Sequence, residues 1–187
     1  PLMIKAGVTS IDSASHLRRA WLGAGQNYFT ENGDSYTAIR IPQTEKSFRA
    51  KRIVSEGRAS KKELVQMESE CLKLVRAFDK GNANIDKTLD ALCSYDGIIT
   101  ENRNDIRPLL EKLLNEQPWK KCPCDICKKD GVEVIIFRGN NRNRRRGFHN
   151  TYIFYRMLQK AVEEGNINFL KEEDHSESPQ VEMNLGL

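Results

Sequence analysis

The chain has 187 residues, room for one domain and too few for two large ones. Hydrophobic residues make up 39% and charged residues 30%, the mean hydropathy is −0.62, and 30 Lys and Arg stand against 26 Asp and Glu for a net charge of +4. Collagen, coiled-coil, membrane-spanning and disordered classes are excluded: no apolar run nears the roughly 20 residues of a membrane span, and nothing at the start resembles a signal segment.

The chain opens on Pro1, not on methionine, and this is read as part of a longer protein. Residues 1–12 begin apolar (Leu2, Met3, Ile4) and pass through Gly7 to Val8 and Ile11, as a helix end, short loop and strand would. Asp12, Ser13, Ala14 and Ser15 then precede a helix carrying Leu17, Trp21 and Leu22, interrupted by Gly23 and Gly25. Residues 28–30, 31–34 and 36–41 read as strand, turn and strand. The stretch 60–115 is helical by period. Leu64, Met67, Cys71, Leu74, Val75 and Phe78 mark one helix stopped by Gly81, Ile85, Leu89 and Leu92 mark a second, and Ile106, Leu109, Leu110, Leu113 and Leu114 a third. Pro108 is tolerated there because it falls in the first turn. The run 132–137 reads as a strand buried on both faces. A basic loop is expected next, then a helix from about Phe148 to Glu164, and residues 171–187 read as an acidic flexible tail.

Five cysteines are an odd number, and Cys122, Cys124 and Cys127 fall within six residues. A disulfide framework would spread an even set along the chain, so the cluster points to a soft metal held by thiolates in a reducing compartment. Cys71 and Cys93 lie on apolar helix faces and read as inert core residues. The pattern C-x-C-x2-C is followed by His149, and three thiolates with one imidazole make a closed, structural zinc site. Asp125 is the competing oxygen donor. The other alternative is that His149 only packs or caps, with water as fourth ligand.

Between Val134 and Val162 there is no Asp or Glu, while Arg138, Arg142, Arg144, Arg145, Arg146, Arg156 and Lys160 supply positive charge. Arginine forks fit phosphate oxygens, and Gly139, Asn140, Asn141, Asn143 and Gly147 would let a loop lie close to a backbone. Nucleic-acid contact is the expectation, and a solvated surface loop the bland alternative.

These residues resemble a known family. Cys122-x-Cys124-x2-Cys127 with His149-Asn150, on a helix continuing through Phe154-Tyr155 to Leu158, is similar to the zinc subdomain of tRNA-guanine transglycosylases. Residues 1–4, Ala6-Gly7-Val8 and Ile11-Asp12-Ser13 look like the segment bearing that family's nucleophile. The detail of 13–23 and 137–150 most resembles the DNA-modifying DpdA branch. The resemblance implies an α/β fold, the C-terminal portion of a TIM-like (β/α)8 barrel with a helical insertion and a zinc-binding subdomain. Its parts would be a barrel segment over 1–55, the insertion over 56–117, the zinc subdomain over 118–170 and the tail over 171–187.

The resemblance also implies a mechanism. Asp12 would attack C1′ of a guanine nucleotide, guanine would leave, and a 7-deazaguanine such as 7-cyano-7-deazaguanine would displace the covalent intermediate. The target nucleotide would leave the base stack. One structural Zn2+ per chain would be held by Cys122, Cys124, Cys127 and His149, and Arg138, Arg142, Arg144, Arg145, Arg146, Arg18 and Arg19 would contact nucleic acid, DNA favoured over tRNA. A homodimer or companion DNA-modification subunits, no membrane, and a cytoplasmic location complete the expectation. Ile11 and Ser13 replace the family's usual aromatic residue and cysteine, and the second catalytic aspartate and base-reading segment would lie upstream of Pro1, leaving this fragment inactive alone. The alternatives are a tRNA-guanine transglycosylase, or a non-catalytic zinc-dependent nucleic-acid-binding module.

Overall fold

A five-residue helix, α1 (Ser15–Arg19), leads to a hairpin of β1 (Tyr28–Phe29) and β2 (Ser35–Tyr36) in the computed structural model, which describes residues 13–22, 25–102 and 105–164. Tyr28 faces Tyr36, and Phe29 faces Ser35, across this antiparallel pair. The turn includes Gly33 at φ 88°, in the left-handed region that side chains disfavour. The stretch 36–41, expected as one strand, is divided: Tyr36 closes the hairpin, whereas β3 (Ile39–Arg40) pairs with a strand nearly a hundred residues away.

Helical periods become helices because each has a cap and one buried stripe. Ser47 accepts from Ala50 N at the start of α2 (Phe48–Ser55), which buries Ala50 and Ile53. A capping box opens α3 (Lys61–Asp79): Ser60 Oγ accepts from Glu63 N at 3.1 Å and the Glu63 carboxylate accepts from Ser60 N at 2.8 Å. Leu64, Cys71, Leu74 and Val75 form its buried stripe, and the chain turns away at Gly81. Asn84 caps α4 (Ile85–Thr100), and α5 (Arg107–Glu116) carries Pro108 in its first turn and buries Leu110, Leu113 and Leu114. Helices α2, α3 and α5 all pack against α4.

The remaining elements are α6 (Pro118–Lys121), α7 (Asp125–Asp130), a 3-10 turn over Gly131–Ile135, β4 (Ile136–Phe137) and α8 (Gly139–Glu164). β4 runs parallel to β3, with Ile39 opposite Ile136 and Arg40 opposite Phe137.

Two expectations are corrected. Only residues 136–137 of the run 132–137 are strand; a 3-10 turn buries Val132, Val134 and Ile135 without sheet partners. A short apolar run reports burial, and its period cannot tell strand from helical turn. The basic segment is helical from Gly139 onward, so α8 begins nine residues before Phe148. Carboxylates from other elements face two of the arginines in that segment, Glu133 with Arg142 and Asp130 with Arg145.

The described residues are mostly helical with few strands, and no closed barrel appears among them. No helix among them is long and apolar enough to cross a membrane. By its contacts the chain divides into two units, Asp12–Met157 and a second comprising Pro1–Ile11 with Leu158–Leu187. The elements above belong to the first, apart from the end of α8. Of the second unit, the described residues 158–164 are helical, with an exposed Lys160–Glu164 ion pair at 3.7 Å.

Candidate metal centre

Two short helices bring the sulfurs to one point. Cys122 leaves the end of α6 in extended backbone, Cys124 is the N-cap of α7, and Cys127 lies one turn into that helix. Cys127 N donates to Cys124 Sγ at 3.3 Å, so the cap itself aims one sulfur. His149 arrives from α8 with Nδ1 at 3.6 Å from Cys122 Sγ and 3.4 Å from the sulfurs of both Cys124 and Cys127. All four donor atoms lie within 4.8 Å of one another, and three of the four residues are buried.

A tetrahedral ion with sulfur at about 2.3 Å and nitrogen at about 2.0–2.1 Å separates its ligands by about 3.5 Å, so the residues fit a metal ion and are consistent with zinc. The imidazole is oriented for that role. Its Nε2–H donates to the Phe29 carbonyl at 2.9 Å, which leaves the Nδ1 lone pair facing the sulfurs. Tyr28 stacks on the ring at 4.1 Å with its hydroxyl 3.4 Å from Cys127 Sγ, placed to donate to a thiolate. Asp125, the competing donor, is exposed and outside the four.

Electrostatics also call for a cation. Hydrogen bonds with Cys122 and Cys127 hold the Cys124 thiol far below its usual range, while the same contacts with Cys122 and Cys124, together with burial, push Cys127 up. Burial alone would lower His149, but hydrogen bonds with Cys122 and Cys124 lift it to about 9. One thiolate thus opposes ionisation of the next, and a divalent ion lets all three be thiolates beside a neutral imidazole. Cys71 and Cys93 are remote from this chemistry. Cys71 donates to the Ala91 carbonyl at 3.3 Å, and burial pushes its thiol up to about 12. None of the five cysteines is in a disulfide.

Around the centre lies a buried polar network. Asn150 Oδ1 accepts from Phe29 N at 3.3 Å, and its Nδ2 donates to the carbonyls of His16 and Asn27, both at 3.0 Å. Asn27, also buried, accepts from Ala38 N at 2.7 Å and donates to the Leu22 carbonyl at 2.9 Å. Residues 16–38 are thereby tied to the same helix that supplies His149. Asn150 entered the sequence reading only beside His149 in the motif, without a role, and Asn27 not at all, because side chains bonded to distant backbone leave no periodic trace. At Gly147 a Cβ would meet Trp21 at 2.8 Å and Leu17 at 2.9 Å, so glycine is what admits α1 to this face.

The predicted arginines separate into different surroundings. Arg138 pairs with Glu68 at 2.5 Å, Arg142 with Glu133 at 2.6 Å and Arg145 with Asp130 at 3.2 Å. Glu133 also accepts from Arg76 at 2.6 Å. Arg18, Arg19 and Arg144 are exposed. Arg146 is 0% exposed and makes no surface contact. Its guanidinium donates to the carbonyls of Ala20 (2.5 Å), Val134 (3.2 Å) and Ile136 (3.3 Å) and to Asn143 Oδ1 (2.7 Å). The expectation that Arg146 touches nucleic acid is therefore corrected: every fork but Nε is committed inside the protein. Asp12 lies outside the described residues.

No protein-family model matches the chain. A curated protein of Salmonella montevideo, DNA-guanine transglycosylase, is 37% identical over 161 residues, covering 85% of this chain. The match covers 39% of the relative, so the chain spans about two fifths of its length. Over most of its residues the chain is thus similar to part of a DNA-guanine transglycosylase, a likeness that supports the transglycosylase family for it.

Proposed function

We propose that this chain is the zinc-holding C-terminal part of a guanine transglycosylase of the DpdA type, exchanging guanine in DNA for a 7-deazaguanine such as 7-cyano-7-deazaguanine, with Asp12 as nucleophile. The observation that carries the reading is the 37% identity to a DNA-guanine transglycosylase over a stretch that includes the four-donor centre. The wiring of that centre agrees with it. Asn150 and Arg146 grip the carbonyls of His16 and Ala20, which begin four and eight residues after Asp12.

In this mechanism the Asp12 carboxylate displaces guanine from C1′, and the incoming base displaces the carboxylate from the same carbon, restoring the original configuration by two inversions. A bound zinc ion supplies no reaction chemistry, because all four of its positions belong to protein donors. The chain's residues position instead: His149 and Asn150 hold β1 and α1, and Gly147 lets α1 seat on α8. The exposed Arg18, Arg19 and Arg144 are the cations of the expected set left for phosphate, since Arg138, Arg142 and Arg145 already face carboxylates. The target nucleotide must swing out of the stack to expose its glycosidic bond.

The test is base exchange by the complete enzyme, offered DNA and tRNA separately with a labelled 7-deazaguanine. Label is expected in DNA alone, and Asp12→Ala should abolish incorporation while nucleic acid still binds. Turnover retained by Asp12→Ala removes that residue from its role, and incorporation into tRNA alone replaces the substrate.

A further inference from the structure

We infer that a basic cleft at the carboxyl ends of β3 and β4, lined by Arg40, Lys46, Phe48, Arg49 and Arg138, binds the sugar–phosphate backbone of an unpaired nucleic-acid strand, with Phe48 stacking on a base. The inference deepens the proposed function by assigning a strand-docking face, and it rests on that reading only for the polymer being DNA.

The cleft has a volume of about 590 Å³, the size of a nucleotide-scale site. It opens where Arg40 and Phe137 end the parallel pair and the chain turns into Pro42–Gln43 on one side and Arg138–Gly139 on the other. Convergence of loops beyond the carboxyl ends of parallel strands is where open α/β sheets take their ligands.

Its charge is one-sided. Among the described residues, no carboxylate lies within ion-pair distance of Arg40, Lys46 or Arg49. The acids behind the cleft are two. Glu68 is committed to Arg138 at 2.5 Å and to Thr44 N at 2.7 Å. Asp96 is buried and bonded to Thr100, and burial holds its carboxyl above the usual range despite the pull of Arg40 and Arg49. With Arg138 neutralised by Glu68, the three remaining cations, Arg40, Lys46 and Arg49, leave an excess that a polyanion complements. Glu45, the nearest acid in sequence, faces Lys61 at 3.3 Å.

Phe48 supplies the second, independent observation. It is 81% exposed at the first position of α2, whose buried face is made by Ala50 and Ile53. A phenyl ring displayed to water beside unpaired cations contributes nothing to the core, yet it is what stacking platforms offer to successive bases. In a duplex the bases are already stacked on each other, so an accessible ring favours an unpaired strand over double helix.

The experiment is fluorescence anisotropy of the purified protein with a labelled mixed-sequence single-stranded oligodeoxynucleotide, titrated at several salt concentrations, with the matching duplex in parallel. Phe48→Ala should weaken single-strand binding about tenfold while changing the salt dependence little. Lys46→Gln/Arg49→Gln should weaken it and reduce the slope of log affinity against log salt by about 1.4. Lys62→Gln/Lys87→Gln, which removes the same charge from exposed sites elsewhere, should leave the slope near wild type. Equal losses in both double variants, or tighter binding to duplex with Phe48→Ala neutral, would overturn the assignment. Base exchange is not the readout, so failure of the transglycosylase reading and failure of this one are separable.

Discussion

Arg146 lies within the most basic part of the chain yet carries its guanidinium into the interior, and replacing it separates two roles that the sequence alone conflates. Arg146→Ala strips the cationic donors from three buried carbonyls, those of Ala20, Val134 and Ile136, and from Asn143. A buried acceptor left unsatisfied costs about 1–3 kcal/mol, so the gross loss is several kcal/mol. Part is recovered, because the wild-type protein keeps a cation out of water. Burial pulls its guanidinium down to about 10, still charged at neutral pH. The net resembles removing one partner of a buried charged contact, about 3–5 kcal/mol, or a fall in Tm of about 10 °C. Thermal melting followed by circular dichroism reads this directly, with nucleic-acid binding measured below the melting temperature. Arg144→Ala is the comparison: exposed, it should cost less than about 0.5 kcal/mol in stability and flatten the salt dependence of binding. If Arg146→Ala melted like wild type and lost nucleic-acid affinity, the argument for a structural clamp would be wrong.

Other outcomes follow from the same geometry. Elemental analysis of the purified protein should return about one equivalent of zinc, which Cys124→Ser should lose together with the folded signal, whereas Cys71→Ser should keep it, since Cys71 faces Ala91 and not the cluster. Gly147→Ala drives a methyl into the side-chain ends of Trp21 and Leu17, which must shift, while Ala gains about 0.5–1 kcal/mol over Gly within a helix, so the substitution should cost a net of at most about 2 kcal/mol in chemical denaturation. In a complete enzyme it should also slow base exchange, because α1 follows the proposed nucleophile. For Glu68, burial raises the carboxyl but hydrogen bonds from Thr44 and Arg138 outweigh it, leaving the group below its usual range. A depressed folded value means the stabilisation is full above the unfolded pKa of about 4.3 and is lost as pH falls through the folded one. The Tm difference between wild type and Glu68→Gln should therefore be constant near neutrality and shrink below about pH 4; a gap that widened in acid would reverse the sign.

Much of the local structure was legible because it is written in near neighbours. The stripe Leu64–Cys71–Val75, Pro108 in a first turn and Gly81 as a stop each act within a few residues, so the helices from 61 to 116 can be read along the chain. The donor set was legible too, for three thiols within six residues have few other uses and metal geometry dictates the fourth partner's chemistry. What the sequence could not convey depends on groups far apart in it. Arg142 and Arg145 looked unopposed because Glu133 and Asp130 precede the acid-free stretch, and Arg138's partner Glu68 lies seventy residues earlier on α3. Residues 139–147 are helix where a loop was expected. Whether an arginine meets solvent or three carbonyls is likewise decided only when α1, the 3-10 turn and α8 converge. Composition and spacing determine which chemistry is present; packing determines which side chains are spent on the fold and which are left for a partner, because burial is a property of distant segments brought together.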